Sequence, residues 1–204
     1  VDDNRLWEGM DTVSESLNKP ALKEPGTVFE YNPVNSALLS AIVEKATGMS
    51  MVEYARQKLF EPLDIRDWYW SKDIKGVTMG AVGLLLSPRD MLKFGMLYNQ
   101  NGVWEGQQIV PAEWVAATFV MNERGYGLHW YQGFNGIGAG GYSGQLIFVF
   151  PQQDIITVIT AAVPEEWYGT TLALTPLFAI RSDEALPASP ASAILAERIR
   201  AIEN

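Results

Sequence analysis

Cysteine is absent from the 204 residues, which excludes disulfides, thiolate zinc sites and thiol catalysis. Histidine occurs once, as His129, so no multi-histidine metal site can form within the chain and no metal or organic cofactor is implied. Basic residues are outnumbered, 15 against 24 acidic, for a formal net charge of -9. That balance opposes binding to nucleic acid or to an anionic membrane surface. The basic residues are also scattered, and the aromatics stand in apolar strings, so no stacking platform runs beside a phosphate-tracking stripe. No apolar run approaches the roughly 18 residues that span a bilayer. An initiating methionine and a signal peptide are both missing from Val1-Asp2-Asp3-Asn4, which reads as a start from which something upstream was removed. The residues leave the compartment unreadable.

What is present suits a folded core. With 48% hydrophobic and 19% charged residues, a chain of this length hides roughly 70% of its unfolded surface. One unit over 1–204 is the default, mainly helical over 1–120, with an antiparallel sheet and a closing helix over 121–204. The first thirty residues are polar and broken by Pro20, Pro25 and Gly26, with a short helix around Asp11 to Leu17. Leu38, Leu39, Ile42, Val43 and Ala46 recur at helical spacing, with Asn35 as cap and Gly48 as stop. Ser50-Met51-Val52-Glu53 is a capping-box pattern for a helix to about Phe60. Ser87-Pro88-Arg89-Asp90 opens another, closed by Gly102, and Pro111 a short one through Ala117.

Strand signals then take over, at Tyr126 to Tyr131, Leu146 to Phe150 and Ile155 to Thr160. The last two are joined by the hairpin loop Pro151-Gln152-Gln153-Asp154. Thr170 to Ile180 is a helix candidate interrupted by Pro176, and Ser189-Pro190 caps a final helix through Ile202. Helices, then antiparallel strands, then a helix argue an α+β fold. The strands look few for an independent sheet.

Serine, tyrosine and glycine remain as carriers of chemistry. A hydroxyl nucleophile needs an adjacent base and donors for the oxyanion. Tyr31 stands on the loop before a helix N-terminus, where the positive end of the helix dipole favours a phenolate suited to general-base work. Taken alone it reads first as a packing residue. His129, between Leu128 and Trp130-Tyr131, reads as a strand histidine packed among aromatics rather than a catalytic one. Asp64, Asp67 and Asp73 read as loop solvation, Met91 and Met96 as core filler. Trp68, Tyr69 and Trp70 suit either a cleft wall or the core.

The stretch from Pro25-Gly26 through Phe29-Glu30-Tyr31 to Leu38-Leu39 resembles the tyrosine motif of the serine β-lactamase and penicillin-binding-protein superfamily. In the family's order there follow Gly48-Met49-Ser50-Met51, Leu59-Phe60-Glu61-Pro62-Leu63, Gly83 to Met91 with Phe94-Gly95, and Tyr126-Gly127-Leu128-His129-Trp130. The resemblance covers roughly residues 20 to 162 and is nearest the branch of class C β-lactamases, esterases and 6-aminohexanoate-oligomer hydrolases. It implies a β-lactamase-like α+β fold, an antiparallel sheet flanked by helices, incomplete here because the N-terminal part is absent. It also implies Tyr31 as general base and a small amide or ester as substrate; the compartment stays unknown, a bacterial periplasmic or secreted setting being slightly favoured over a cytoplasmic one.

The family's usual asparagine two residues after the tyrosine is Pro33 here, which leaves Asn32 or Asn35 to take its place. Ala139-Gly140-Gly141-Tyr142-Ser143-Gly144-Gln145 resembles the family's sheet-edge substrate strand. In that alignment the Tyr142 backbone N–H is an oxyanion donor and Gly140, Gly141, Ser143, Gly144 and Gln145 line the substrate; a shifted alignment makes Tyr142-Ser143-Gly144 the motif. Ala139 stands where many relatives carry lysine, so recognition of a penicillin carboxylate is weakened and an amidase or esterase is favoured.

The family's nucleophile belongs to a Ser-x-x-Lys helix. Here that spacing occurs only as Ser16-Leu17-Asn18-Lys19, in a polar segment ended by Pro20 and too near Tyr31 to serve. The implied protein is therefore a portion whose exposed sheet edge pairs with the missing N-terminal segment or with another chain. The alternative is a non-catalytic relative that binds peptide or cell-wall fragments.

Overall fold

Short helices and a meander of strands follow one another along the chain in a computed structural model that describes residues 9–133, 136–162 and 189–203. The chain divides into two compact units, 1–166 and 167–204. The expected helix at Thr170 to Ile180 lies outside the described residues.

In the first unit four helices begin where a side chain satisfies a free N–H group. Helix α1 (Thr12–Leu17) is capped by Asp11, whose Oδ1 accepts from the Ser14 N–H at 3.0 Å. Helix α2 (Pro33–Thr47) is capped by Asn32, whose Oδ1 accepts from the Val34 N–H at 3.0 Å. This corrects the expectation of Asn35: proline at the first helical position needs no N–H partner and has a preset φ, so the helix starts earlier. Gly48 ends α2 in the left-handed region, φ 70°, as expected.

Helix α3 (Met51–Ala55) has its Ser50 cap, but the Glu53 carboxylate turns to Arg56 and Gln57 instead of back to Ser50. The remaining residues to Phe60, expected as α-helix, form a π turn, Arg56–Phe60. Its wide geometry drops Phe60, Leu63 and Ile65 into a core with Ala55 and Leu97. The hairpin β1 (Trp68–Trp70) and β2 (Leu84–Leu86) packs on that core through Trp68 and Trp70. Tyr69 points away and is exposed. Two of the three aromatics are thus core, as one of the two readings held.

Helix α4 (Pro88–Asn99) starts at the Ser87 cap, with the Asp90 carboxylate accepting the Ser87 hydroxyl at 2.7 Å. It lies on the sheet, and Gly95 makes the close approach: a Cβ there would stand 2.4 Å from Ile156 Cγ2. A small hairpin, β3 (Val103–Trp104) with β4 (Gln107–Gln108), leads to helix α5 (Ala112–Thr118).

The sheet is larger than expected. Five antiparallel strands pair in sequence order: β5 (Tyr126–Gly127), β6 (Trp130–Gly133), β7 (Gly136–Gly141), β8 (Gln145–Phe150) and β9 (Ile155–Ile159). Tyr126 to Tyr131 is not one strand. It folds at Leu128 (φ 42°) and His129 (φ 74°), so Tyr126 pairs with Tyr131. Two central residues of positive φ are what a tight hairpin of matching twist requires. Trp130, Ile137 and Val149 form the sheet's own core.

Asp73 is a second correction. It is buried, and its carboxylate accepts from the Thr12 hydroxyl at 2.7 Å and from the backbone N–H groups of Thr12, Lys75 and Val77. A buried charge persists when its lone pairs are filled in this way, and here it ties α1 to the loop before β2. In the second unit, helix α6 (Pro190–Glu203) follows Ser189 as expected.

Candidate active site

Tyr31 immediately precedes the Asn32 cap, so the start of α2 fixes its backbone while the residue stays 58% exposed. The ring meets Tyr126 edge-on, centroids 5.9 Å apart, and Tyr131 at 6.2 Å with a 37° tilt. Below it opens a cavity of about 390 Å³, walled by Tyr31, Ser36, Met91, Ala139, Gly140 and Gln145 among others. A phenol at a helix entrance and the glycine-rich strand therefore share one cavity, although more than a hundred residues separate them in sequence.

The strand was expected at a sheet edge. As a whole β7 is internal, between β6 and β8, because both neighbours pair with it. Its C-terminal half is different. The β6 ladder stops at Tyr131 opposite Gly138, whereas pairing with β8 runs on through Ala139, Gly140 and Gly141. From Ala139 onward, then, β7 is unpaired on its β6 side, and a local edge survives inside the sheet. Tyr142–Gly144 is a helical turn with Ser143 left-handed, φ 61° and ψ 16°. Of the two alignments considered, only Ala139-Gly140-Gly141 is strand, and Tyr142 is the residue that follows it.

The other expected residues are distributed unevenly. Gly140 and Gln145 wall the cavity, and the Gln145 side chain donates to the Ala161 carbonyl. Asn32 and Asn35 wall an adjoining groove of about 890 Å³ that also reaches Tyr31. The Asn32 oxygen is already engaged as the helix cap, which leaves its NH₂ for a ligand. Gly141, Tyr142, Ser143 and Gly144 wall neither space; Tyr142 is exposed beside them and Gly144 is buried. Ser16, set aside from the sequence, donates its hydroxyl to the Thr12 carbonyl of its own helix and borders neither space.

Three residues at the site were missed. His129 is not packed in a strand: it is exposed in the β5–β6 turn, lines both spaces, and places Nδ1 3.3 Å from the Tyr126 hydroxyl. Tyr126 and Tyr131 complete the aromatic wall. Burial, with the nearby Tyr31 charge second, raises the Tyr126 phenol above its ordinary value. The same two causes and a hydrogen bond with Tyr31 raise Tyr131 further. Neither gives up its proton near neutrality. The Tyr-Gly-Leu-His-Trp-Tyr run held the signal, but only the cross-strand register shows which rings meet.

Gly80 brings the loop before β2 against the start of α2. A Cβ at that position would lie 2.1 Å from the Ser36 carbonyl oxygen and 2.9 Å from its carbon, both backbone atoms. Overpacking of this kind costs about 1–3 kcal/mol. Gly80→Ala is expected to lose that much in urea unfolding and to weaken the Tyr31–Tyr131 ring contact in NMR; unchanged stability would mean that α2 shifts freely.

Sequence comparison decides the family. The Beta-lactamase family model matches residues 2–173. The chain belongs to the beta-lactamase family. The chain is similar to the 6-aminohexanoate-dimer hydrolase of Paenarthrobacter ureafaciens, 26% identical over 164 residues, covering 69% of this chain and 42% of that protein. The human mitochondrial serine beta-lactamase-like protein LACTB is 30% identical over 150 residues, covering 57% of this chain and 27% of that protein. Among solved structures, a putative 6-aminohexanoate-dimer hydrolase from Bacillus anthracis superposes with a TM-score of 0.73 at 21% identity, covering 82% of this chain and 47% of that one. The fold is thus β-lactamase-like and the family one of serine hydrolases. The chain spans less than half the length of each of these relatives.

Proposed function

We propose that this chain is the C-terminal portion of a serine hydrolase that cleaves small amides or esters through an acyl-enzyme. The observation that carries the reading is the cavity shared by Tyr31 and the unpaired half of β7. In this scheme a serine hydroxyl from a segment outside residues 1–204 attacks the substrate carbonyl, and its proton passes to the Tyr31 oxygen. The Tyr142 N–H, which follows the open half of β7 just outside the cavity wall, is assigned by the family resemblance to the oxygen that becomes negative, and Tyr31 returns the proton to the departing amine or alcohol. A water then repeats the sequence on the acyl group and frees the serine. Among the described residues no lysine or arginine walls either space, which supports an acyl group without a carboxylate.

The segment that carries the nucleophile has a place to sit. Leu39, Trp114 and Val120 are exposed along the 890 Å³ groove beside Tyr31, and an apolar helix would cover them. Among the described residues no strand pairs with the outer side of β9, and in this reading a strand from the same segment or from another chain pairs there. A second reading, a non-catalytic binder of peptide or cell-wall fragments, draws support from Pro33, Ala139 and the self-bonded Ser16.

A fluorophosphonate probe read by intact mass separates the two. Under the hydrolase reading, a longer form of the protein that includes the residues upstream is labelled on a serine before Val1 and the 204-residue chain stays unlabelled. Labelling of Ser16 would overturn the assignment, and labelling of neither form would favour the binder.

A further inference from the structure

We infer that Tyr131 is the positioning residue of this site: its hydroxyl donates to the Tyr31 oxygen and holds that ring against the unpaired end of β7. The inference rests on the proposed role of Tyr31 as base. Tyr31 alone is poorly fixed, being a loop residue that is largely exposed. Tyr131 is the opposite case. Strand β6 holds it between two ladders, paired with Tyr126 on one side and Gly138 on the other. That second pairing is the last rung before β7 becomes free, so Tyr131 stands at the boundary of the open half-strand.

Three observations single it out as the donor. Its ring centroid lies 6.2 Å from that of Tyr31 with a 37° tilt, which brings the two phenols within reach of one another. Tyr126, the other phenol within reach, has its hydroxyl beside His129 Nδ1 at 3.3 Å, and its ring props both tyrosines edge-on, at 5.9 Å from Tyr31 and 4.8 Å from Tyr131. Among the described residues no lysine or arginine walls either space, so the donors this chain itself brings there are neutral. Burial first of all keeps the proton on Tyr131, which leaves its hydroxyl able to donate to the Tyr31 oxygen, while its place between two ladders fixes where that hydroxyl stands. A neutral donor of this kind orients the acceptor without quenching its basicity as a full cation would.

Two measurements test the inference. In the 204-residue chain labelled with 13Cζ-tyrosine, the Tyr131 resonance should titrate at lower pH in Tyr31→Phe than in the unaltered protein, because its acceptor and repelling charge are gone. An unchanged midpoint overturns the contact. In the longer, probe-reactive form, Tyr131→Phe should lower kcat roughly 10-fold, the loss of about one hydrogen bond, with KM within about twofold. Combined with Tyr31→Phe it should add nothing further, as expected of coupled residues. Full activity of Tyr131→Phe alongside a damaged Tyr31→Phe overturns the positioning role and leaves the base intact. Undamaged Tyr31→Phe instead removes the base and with it any positioning role, whatever the titration shows.

Discussion

Tyr31→Phe is expected to lower turnover of an ester chromogen about 10²- to 10⁴-fold in the form of the protein that carries the nucleophile, the range that positioned proton transfer supplies. The substitution removes one oxygen and leaves the ring, so the packing on Tyr126 and Tyr131 persists. KM should move little, because the phenol oxygen handles a proton in the transition state and contributes little to ground-state binding. Covalent labelling by the fluorophosphonate should slow in parallel, since the same proton must leave the serine. Stability should stay within about 0.5 kcal/mol, as for exposed sites away from buried networks. A variant that turns over at the unaltered rate would remove Tyr31 from the chemistry.

The helices were legible where a cap and a period coincide. Ser50 and Ser87 accept the N–H groups expected of them, and Gly48 adopts the left-handed φ that stops α2. Errors arose where one local rule displaced another. Pro33 let α2 begin ahead of Asn35, and Leu128-His129 makes a tight turn without the Asn-Gly signature that announces one. Asp73 was misread because Thr12, which helps fill its lone pairs, lies 61 residues away.

The same limit governs the site. Tyr31 and the glycines of β7 were readable from ordered motifs through their family resemblance. Their meeting at one cavity depends on α2 being braced by Gly80 and on where the β6 ladder stops. Neither fact has a local signal. Tyr131 and Tyr126 stayed hidden for that reason: strand register, which no short window contains, sets which side chains face one another.

Phe60→Ala tests the scaffold independently of the chemistry. Phe60 is 1% exposed at the end of the π turn, with ring centroids 5.2 Å from Trp68 and 6.4 Å from Trp70. Truncating a buried phenylalanine costs about 3–5 kcal/mol, the lost transfer energy plus the cavity left behind. Against the total of about 5–15 kcal/mol available to a folded domain, that is roughly a fifth or more. The urea midpoint should fall by roughly 1–2 M for the m-values usual in proteins of this size, and the neighbouring tryptophans make fluorescence a direct reporter. The effect should also reach the cavity, because β1 and β2 pack on Phe60 and β2 supplies Leu84, Leu85 and Leu86 to its wall. Tyr31→Phe and Phe60→Ala therefore separate cleanly: the first loses rate and keeps its midpoint, the second loses its midpoint first. A loss below about 1 kcal/mol in Phe60→Ala would show that the surrounding side chains close the gap, and the wall of the site would then owe its position to the β1–β2 ladder alone.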